Sequence, residues 1–109
     1  MCGFLSIIGP HPEQLSLQNG LSLLRHRGPD DEGYKYYPCA HMGHARLSIL
    51  DLSPAGKQPM SLGDQRLAIV HNGEVYNYIE LRSELRDVDF NSETDTEVIL
   101  HLYDKYDQK

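Results

Sequence analysis

Two segments rich in glycine and proline divide this chain of 109 residues into short pieces. The first, residues 25–33, contains Gly28, Pro29 and Gly33, and the second, residues 53–64, contains further prolines and glycines. Because these residue types interrupt helices and strands, we predict that both segments are loops. No apolar run approaches the length that spans a membrane. The chain is therefore expected to form one domain, residues 1–109, from short elements around a modest core.

The pieces outside these loops predict a mixed α+β fold. We predict strands over residues 3–9, 34–37, 41–52 and 66–70, the first of them buried. Helices are predicted over residues 12–25 and 77–86, and a third helix follows Thr94 and carries apolar residues on one face as far as Tyr106. Thr94 and Glu97 have the spacing of a capping box at the start of that third helix.

Charge and cysteine content exclude several classes of protein. The formal net charge is −6, which disfavours a nucleic-acid surface. The first ten residues lack the basic region and long apolar stretch of a signal peptide. Two cysteines make a thin disulfide framework, so we expect a reduced, cytoplasmic protein.

Cys2 directly follows Met1, and this position has chemical consequences. Removal of one residue would place a thiol and a free α-amine on the same residue. A free α-amine can accept a proton near neutral pH, so nucleophile and base would arrive together. The alternative is that Cys2 is a small apolar residue that opens a strand.

Polar residues stand where predicted strands end or helices begin, which is where rigid elements often present functional groups. Arg46 interrupts an apolar strand, Asn72-Gly73 follows another, and Asp95 lies in the first turn of the third helix. Each has a structural alternative. Arg46 fits an edge position, Asn72-Gly73 fits a hairpin turn, and Asp95 has a charge that suits the helix dipole.

A metal site is a rival interpretation of the cysteine and histidine residues. Cys39, His41 and His44 are close in sequence, and His71 is a further candidate ligand. Their spacing fits no common zinc pattern, so we expect no metal at this site.

Six sequence blocks in order resemble one family from end to end of the chain. The chain is similar to the glutaminase domain of glutamine-hydrolysing asparagine synthetases, which are class II glutamine amidotransferases of the N-terminal-nucleophile superfamily. The blocks are the Cys2 start, Arg25-His26-Arg27-Gly28-Pro29-Asp30, Gly43-His44-Ala45-Arg46-Leu47-Ser48-Ile49, Gln58-Pro59-Met60, Asn72-Gly73-Glu74-Val75-Tyr76-Asn77 and Thr94-Asp95-Thr96-Glu97-Val98-Ile99.

The resemblance implies hydrolysis of the glutamine side-chain amide to glutamate and ammonia. Cys2 would be the nucleophile once Met1 is removed, with its own amine as base, and a glutamyl thioester would form. The oxyanion would be stabilised by the Asn72 side-chain amide and the Gly73 backbone N–H.

The same resemblance implies how free glutamine is held. Arg46 would bind the α-carboxylate, Asp95 would meet the α-ammonium, and Glu74 would help to hold the polar end of the substrate. Leu47 and Ile49 match positions whose backbone groups lie near the substrate. Residues 25–30 match a loop that shapes or covers the pocket and has no catalytic role.

The implied fold is the αββα sandwich of N-terminal-nucleophile hydrolases, incomplete at this length. ATP and magnesium would serve a separate synthetase domain that makes asparagine from aspartate, and the glutaminase step would need no cofactor. Expected partners are glutamine and either a synthetase domain or a completing chain. The isolated chain is expected to self-associate or to be marginally stable because an incomplete sheet exposes strand edges. The alternative function is a non-catalytic remnant that acts as a binding or interaction module.

Overall fold

A computed structural model describes residues 2–107 of the chain. The expected removal of Met1 concerns a residue outside this range. The helices and strands, in chain order, are β1 (Gly3–Ile8), α1 (Gln14–Ser22), β2 (Asp31–Tyr37), β3 (Ala40–Arg46), β4 (Met60–Ser61), β5 (Ala68–Ile69), α2 (Tyr78–Glu84) and α3 (Asp95–Tyr106). The predicted α+β class is confirmed. Within residues 2–107, every helix is too short or too polar to cross a membrane.

The first layer is an antiparallel sheet of three strands in the order β1-β3-β2. Helix α1 packs on one face of this sheet through Leu17 and Leu21, which are fully buried and lie against Gly43 of β3. Gly20 lies inside α1, where the Leu5 side chain of β1 fills the space that a Cβ would occupy. A glycine at this position therefore allows the helix and the strand to pack closely. The helix and the sheet thus form one apolar interface.

Strand alternation places polar residues of β3 on the opposite face of the sheet. Gly43 faces α1, so His44 and Arg46 belong to the face away from that helix, since successive side chains of a strand point to opposite sides. His44 pairs with Gly33 of β2, and a Cβ on Gly33 would overlap the backbone carbonyl of Gln58. This second face is therefore covered by the second half of the chain.

The second half forms its own small unit. Strands β4 and β5 pair antiparallel, and α3 packs against both. Met60, Leu62 and Leu100 are the buried residues of this apolar cluster. The sheet of three strands consequently lies between α1 and this second unit. The complete αββα sandwich stays a prediction.

Two strand predictions are wrong, one in extent and one in burial, because of tertiary partners. The strand predicted over residues 41–52 ends at Arg46, because its partners β1 and β2 begin at Gly3 and Asp31, which pair with Ala45 and Arg46. β1 itself was predicted as buried, yet it is an edge strand whose Phe4 and Ile8 are 48% and 80% exposed.

Both predicted loops contain strand residues. β2 begins at Asp31, inside the predicted loop 25–33, because residues 31–33 pair with β3. β4 and a single 3₁₀ turn, Pro54–Gly56, lie inside the predicted loop 53–64. The strand predicted over 66–70 is reduced to Ala68–Ile69, and the first two helices are shorter than predicted.

The predicted cap of α3 is half confirmed. The Thr94 side chain accepts a hydrogen bond from the Glu97 backbone N–H at 3.3 Å. The Glu97 carboxylate does not accept the second bond of a capping box, from the Thr94 backbone N–H. It accepts from the backbone N–H groups of Asn91 and Ser92 at 2.8 and 2.7 Å, and so closes the loop that precedes the helix.

Replacing Gly28 by alanine is expected to destabilise the fold strongly. A Cβ at this buried position would overlap the backbone of Ala45 and Arg46 at the end of β3. Because backbone cannot move aside as a side-chain tip does, the free energy of unfolding should fall by about 3 kcal/mol. Urea denaturation measures this loss. The matched control is Gly63→Ala, whose Cβ would meet nothing within 4 Å and should change stability by less than about 0.5 kcal/mol. Equal losses in the two variants would contradict the expectation.

Candidate active site

A cavity of about 410 Å³ opens beside the second face of the sheet. Its volume lies in the range of small-molecule sites, which is roughly 300–1,000 Å³. Every site residue predicted from the sequence lines this one cavity: Cys2, Arg46, Leu47, Ile49, Asn72, Gly73, Glu74 and Asp95. These residues come from both halves of the chain, so the fold assembles them.

Cys2 is held on two sides. It immediately precedes Gly3, which pairs with Ala45, so Cys2 lies beside the end of β3. Its Sγ accepts a hydrogen bond from the Leu47 backbone N–H at 3.2 Å, and its carbonyl oxygen accepts one from Arg27 Nε at 3.1 Å. These contacts fix the position of the sulfur at the cavity wall.

Residues 25–30 support the site from behind and do not line the cavity. The Asp30 backbone N–H donates to the Arg46 carbonyl at 2.9 Å, and the Asp30 carboxylate accepts from the Ser48 N–H at 2.8 Å. Together with the Arg27 contact to Cys2, these bonds hold the end of β3. The expected absence of a catalytic role for this segment stays a prediction.

Arg46 is buried and organises the loop that follows β3. Its Nη1 donates to the Ser53 carbonyl at 2.8 Å, and its Nη2 donates to the Asp51 carbonyl. A Cβ on Gly56 would overlap the guanidinium, so glycine leaves room for it. The guanidinium has further N–H groups, which a ligand carboxylate in the cavity can use.

Asp51 ties this loop to the segment before α3. Its carboxylate accepts from the Ser53 hydroxyl and backbone N–H, and from the Glu93 backbone N–H at 2.9 Å. The Ser53 hydroxyl, followed by the two backbone donors, lowers the pKa of Asp51 below its ordinary value. The wall of the cavity formed by residues 47–56 is therefore connected to the start of α3.

Asp95 lies in the first turn of α3, as predicted, and it also makes a specific contact. It is 5% exposed, and its Oδ2 accepts a hydrogen bond from the Val75 backbone N–H at 2.8 Å. The structural alternative for Asn72-Gly73, a hairpin turn, does not apply. The β4–β5 hairpin is closed earlier, by the bond from the Leu62 N–H to the Leu67 carbonyl, and Asn72-Gly73 forms a bend after β5.

Sequence reasoning missed a buried network beneath this bend. His44, Gln58, His71 and Thr96 all line the cavity and are joined by hydrogen bonds. Gln58 and Thr96 belong to two of the sequence blocks that carry the resemblance, but no local pattern distinguishes them from their neighbours. Their partners lie up to 38 residues away along the chain, so only the folded chain identifies them.

His44 and His71 are linked through a backbone atom. His44 Nε2 lies 3.2 Å from the His71 carbonyl oxygen, and a carbonyl can only accept, so Nε2 is the donor. Burial lowers the pKa of His44, and the nearby Arg46 charge lowers it further, while the His71 carbonyl raises it. Among residues 2–107, no three histidine, cysteine or acidic side chains are placed to hold a metal ion.

Comparison with known proteins matches this chain along its whole length. A family model described as a glutamine amidotransferase domain matches residues 1–109. The chain is 42% identical to asparagine synthetase [glutamine-hydrolyzing] 1 of Bacillus subtilis, with all of the chain and 18% of that protein covered. It is 36% identical to asparagine synthetase [glutamine-hydrolyzing] 2 of Oryza sativa, with all of the chain and 19% of that protein covered.

A third relative has a similar identity to this chain. The chain is 40% identical to a putative asparagine synthetase [glutamine-hydrolyzing] 2 of Methanocaldococcus jannaschii, with 96% of the chain and 24% of that protein covered. The chain thus spans about a fifth of the length of the curated relatives it matches.

Proposed function

Because this chain belongs to the glutamine amidotransferase domain family, we propose that its cavity hydrolyses the side-chain amide of glutamine with Cys2 as the nucleophile. The observation that carries the proposal is the convergence of Cys2, Arg46, Asn72 and Asp95 on one cavity. These residues are far apart in the sequence, and each supplies a different part of the required chemistry.

The reaction follows from the groups at Cys2 after Met1 is removed. The α-amine takes the thiol proton, and the sulfur attacks the amide carbon of glutamine. The Asn72 side-chain amide and the Gly73 backbone N–H donate to the oxyanion that develops. The tetrahedral intermediate collapses, the protonated amine returns its proton to the leaving nitrogen, and ammonia departs. Water then cleaves the glutamyl thioester and releases glutamate.

Selection of free glutamine rests on charges at both ends of its backbone. Arg46 binds the α-carboxylate through the guanidinium N–H groups that do not donate to the carbonyls of Asp51 and Ser53. Asp95 meets the α-ammonium, and Glu74 helps to hold the polar end of the substrate. The backbone at Leu47 and Ile49 completes the wall beside Cys2, where the Leu47 N–H already contacts the sulfur.

The use of the ammonia is part of the same proposal. Relatives named as glutamine-hydrolysing asparagine synthetases support a synthetase domain or completing chain as the partner that consumes it. The hydrolytic step needs no cofactor, and we assign ATP and magnesium to the asparagine-forming step outside these residues. Both cysteines are free, which supports a cytoplasmic protein. Self-association stays a proposal that sedimentation can test.

Glutamine hydrolysis by this chain is tested by measuring glutamate and ammonia released in equal amounts. Intact mass shows whether Met1 has been removed, and a glutamine-derived electrophile should then label Cys2. The matched internal control is Cys39, which is exposed and does not line the cavity, so it should stay unlabelled. A chain that loses Met1 but neither hydrolyses glutamine nor labels at Cys2 would favour the non-catalytic module.

A further inference from the structure

We propose that Gln58 and Thr96 are positioning residues that hold the Asn72-Gly73 bend in the geometry needed to stabilise the oxyanion. This inference rests on the proposed function. Neither residue was predicted from the sequence to belong to the site. Both are nearly inaccessible, with 7% and 3% of their surfaces exposed, so their polar groups are available only to neighbours and to the cavity.

Three neighbouring side chains hold His71, the residue that directly precedes the bend. The Gln58 Oε1 accepts from the His71 backbone N–H at 2.6 Å, and His44 Nε2 donates to the His71 carbonyl at 3.2 Å. The third contact is to the imidazole, whose Nδ1 lies 3.2 Å from Thr96 Oγ1. Both backbone polar groups of His71 and one ring nitrogen are thereby occupied.

The orientation of each group follows from donor and acceptor rules. A peptide N–H can only donate, so the Gln58 oxygen faces His71 and its Nε2 donates to Thr96 Oγ1 at 3.2 Å. The Thr96 hydroxyl accepts that bond and is also within hydrogen-bond distance of His71 Nδ1. The chain of bonds from Gln58 through Thr96 to His71 is closed.

The closed network lies directly against the bend. A Cβ at Gly73 would come within 3.1 Å of His71 Nε2, so the imidazole packs against the backbone whose N–H is proposed to donate to the oxyanion. Asp95, the neighbour of Thr96, holds the other end through the Val75 N–H. The first turn of α3 thus clamps residues 71 and 75 and leaves the bend between two fixed points.

This arrangement predicts a loss in turnover without a loss in substrate binding. An oxyanion donor acts in the transition state, so a displaced bend should lower kcat and spare KM. Thr96→Val keeps the shape of the side chain but removes the hydroxyl, and should lower kcat by about 10- to 100-fold while KM changes by less than about 2-fold. Thr96→Ser restores the hydroxyl and should recover kcat to within about 3-fold of the original.

A destabilised control separates positioning from loss of fold. Leu100→Ala removes a buried side chain of the same helix outside the network, and should lower the thermal midpoint with kcat nearly unchanged. The proposal is overturned if Thr96→Val keeps its kcat, if its KM rises in proportion to the loss, or if Leu100→Ala lowers kcat equally.

Amide hydrogen exchange tests, without any turnover, whether the contacts of Gln58 and Thr96 hold His71 in place. In Thr96→Val, the His71 amide should exchange at least about 10-fold faster, while amides of the β1–β3 ladder keep their rates. If the unaltered chain fails to hydrolyse glutamine, the proposed function fails. The exchange measurement still tests whether Thr96 holds His71 and the bend in place. Unchanged exchange at His71 would overturn it, and selective acceleration there would support it.

Discussion

Replacing Cys2 by alanine is expected to abolish glutamine hydrolysis. The substitution removes the only sulfur at the cavity wall among residues 2–107, and no other side chain there is proposed to form the thioester. Loss of a covalent nucleophile typically lowers kcat by about 10⁴-fold or more. Alanine keeps the backbone carbonyl that accepts from Arg27 and loses only the sulfur contact to the Leu47 N–H, so the fold should persist. Release of glutamate from glutamine, measured over hours, checks the loss.

The matched control for Cys2 is Cys39→Ala. Cys39 is exposed in the turn between β2 and β3, where its backbone carbonyl accepts from the Gly9 N–H. Alanine keeps that carbonyl, so hydrolysis should continue at the original rate. Activity that survives Cys2→Ala, or disappears in Cys39→Ala, would contradict Cys2 as the nucleophile.

Replacing Asn72 by alanine is expected to produce the second-largest loss. The variant removes a side-chain donor proposed for the oxyanion, and loss of one such donor typically costs about 10²- to 10³-fold in kcat. KM for glutamine should change little, because Arg46, Asp95 and Glu74 are proposed to bind the substrate backbone. Steady-state kinetics separates kcat from KM. Asn72→Asp, which is similar in size, should be slower still because it places a negative charge beside the oxyanion.

Asn77→Ala is the control for the Asn72 variants. Asn77 precedes α2, and its side chain makes no capping hydrogen bond there. Alanine at this position should leave both kcat and KM close to their original values. A rise in KM with unchanged kcat in Asn72→Ala would instead place Asn72 among the residues that bind ground-state substrate.

Local features of the fold were predictable from the sequence because they depend on neighbours along the chain. The Thr94 cap requires the backbone of Glu97 three residues later, and the α+β class follows from short apolar runs and breakers. Candidate site residues could be named because six blocks together resemble one family. The family match across residues 1–109 confirms that resemblance.

The extent of strands was not predictable because pairing depends on a partner. β3 ends at Arg46 because its partners β1 and β2 begin at Gly3 and Asp31, and residues 31–33 become strand because β3 lies beside them. The same holds for β4 and β5, whose two-residue ladder stabilises little by itself and packs against α3. The pattern of apolar residues within a segment does not show which strand will pair with it or which helix will pack against it.

The sequence by itself determined which residues are candidates for the site, since their types and order are written in the chain. Only the tertiary structure decided how they are held: Leu47 contacts the Cys2 sulfur across 45 positions, and Gln58 meets Thr96 across 38. Arg46 also binds loop carbonyls, and His71 becomes the fixed point before the bend. The physical reason is range. Propensity and capping act over a few residues, whereas these hydrogen bonds join groups that only the folded chain brings together.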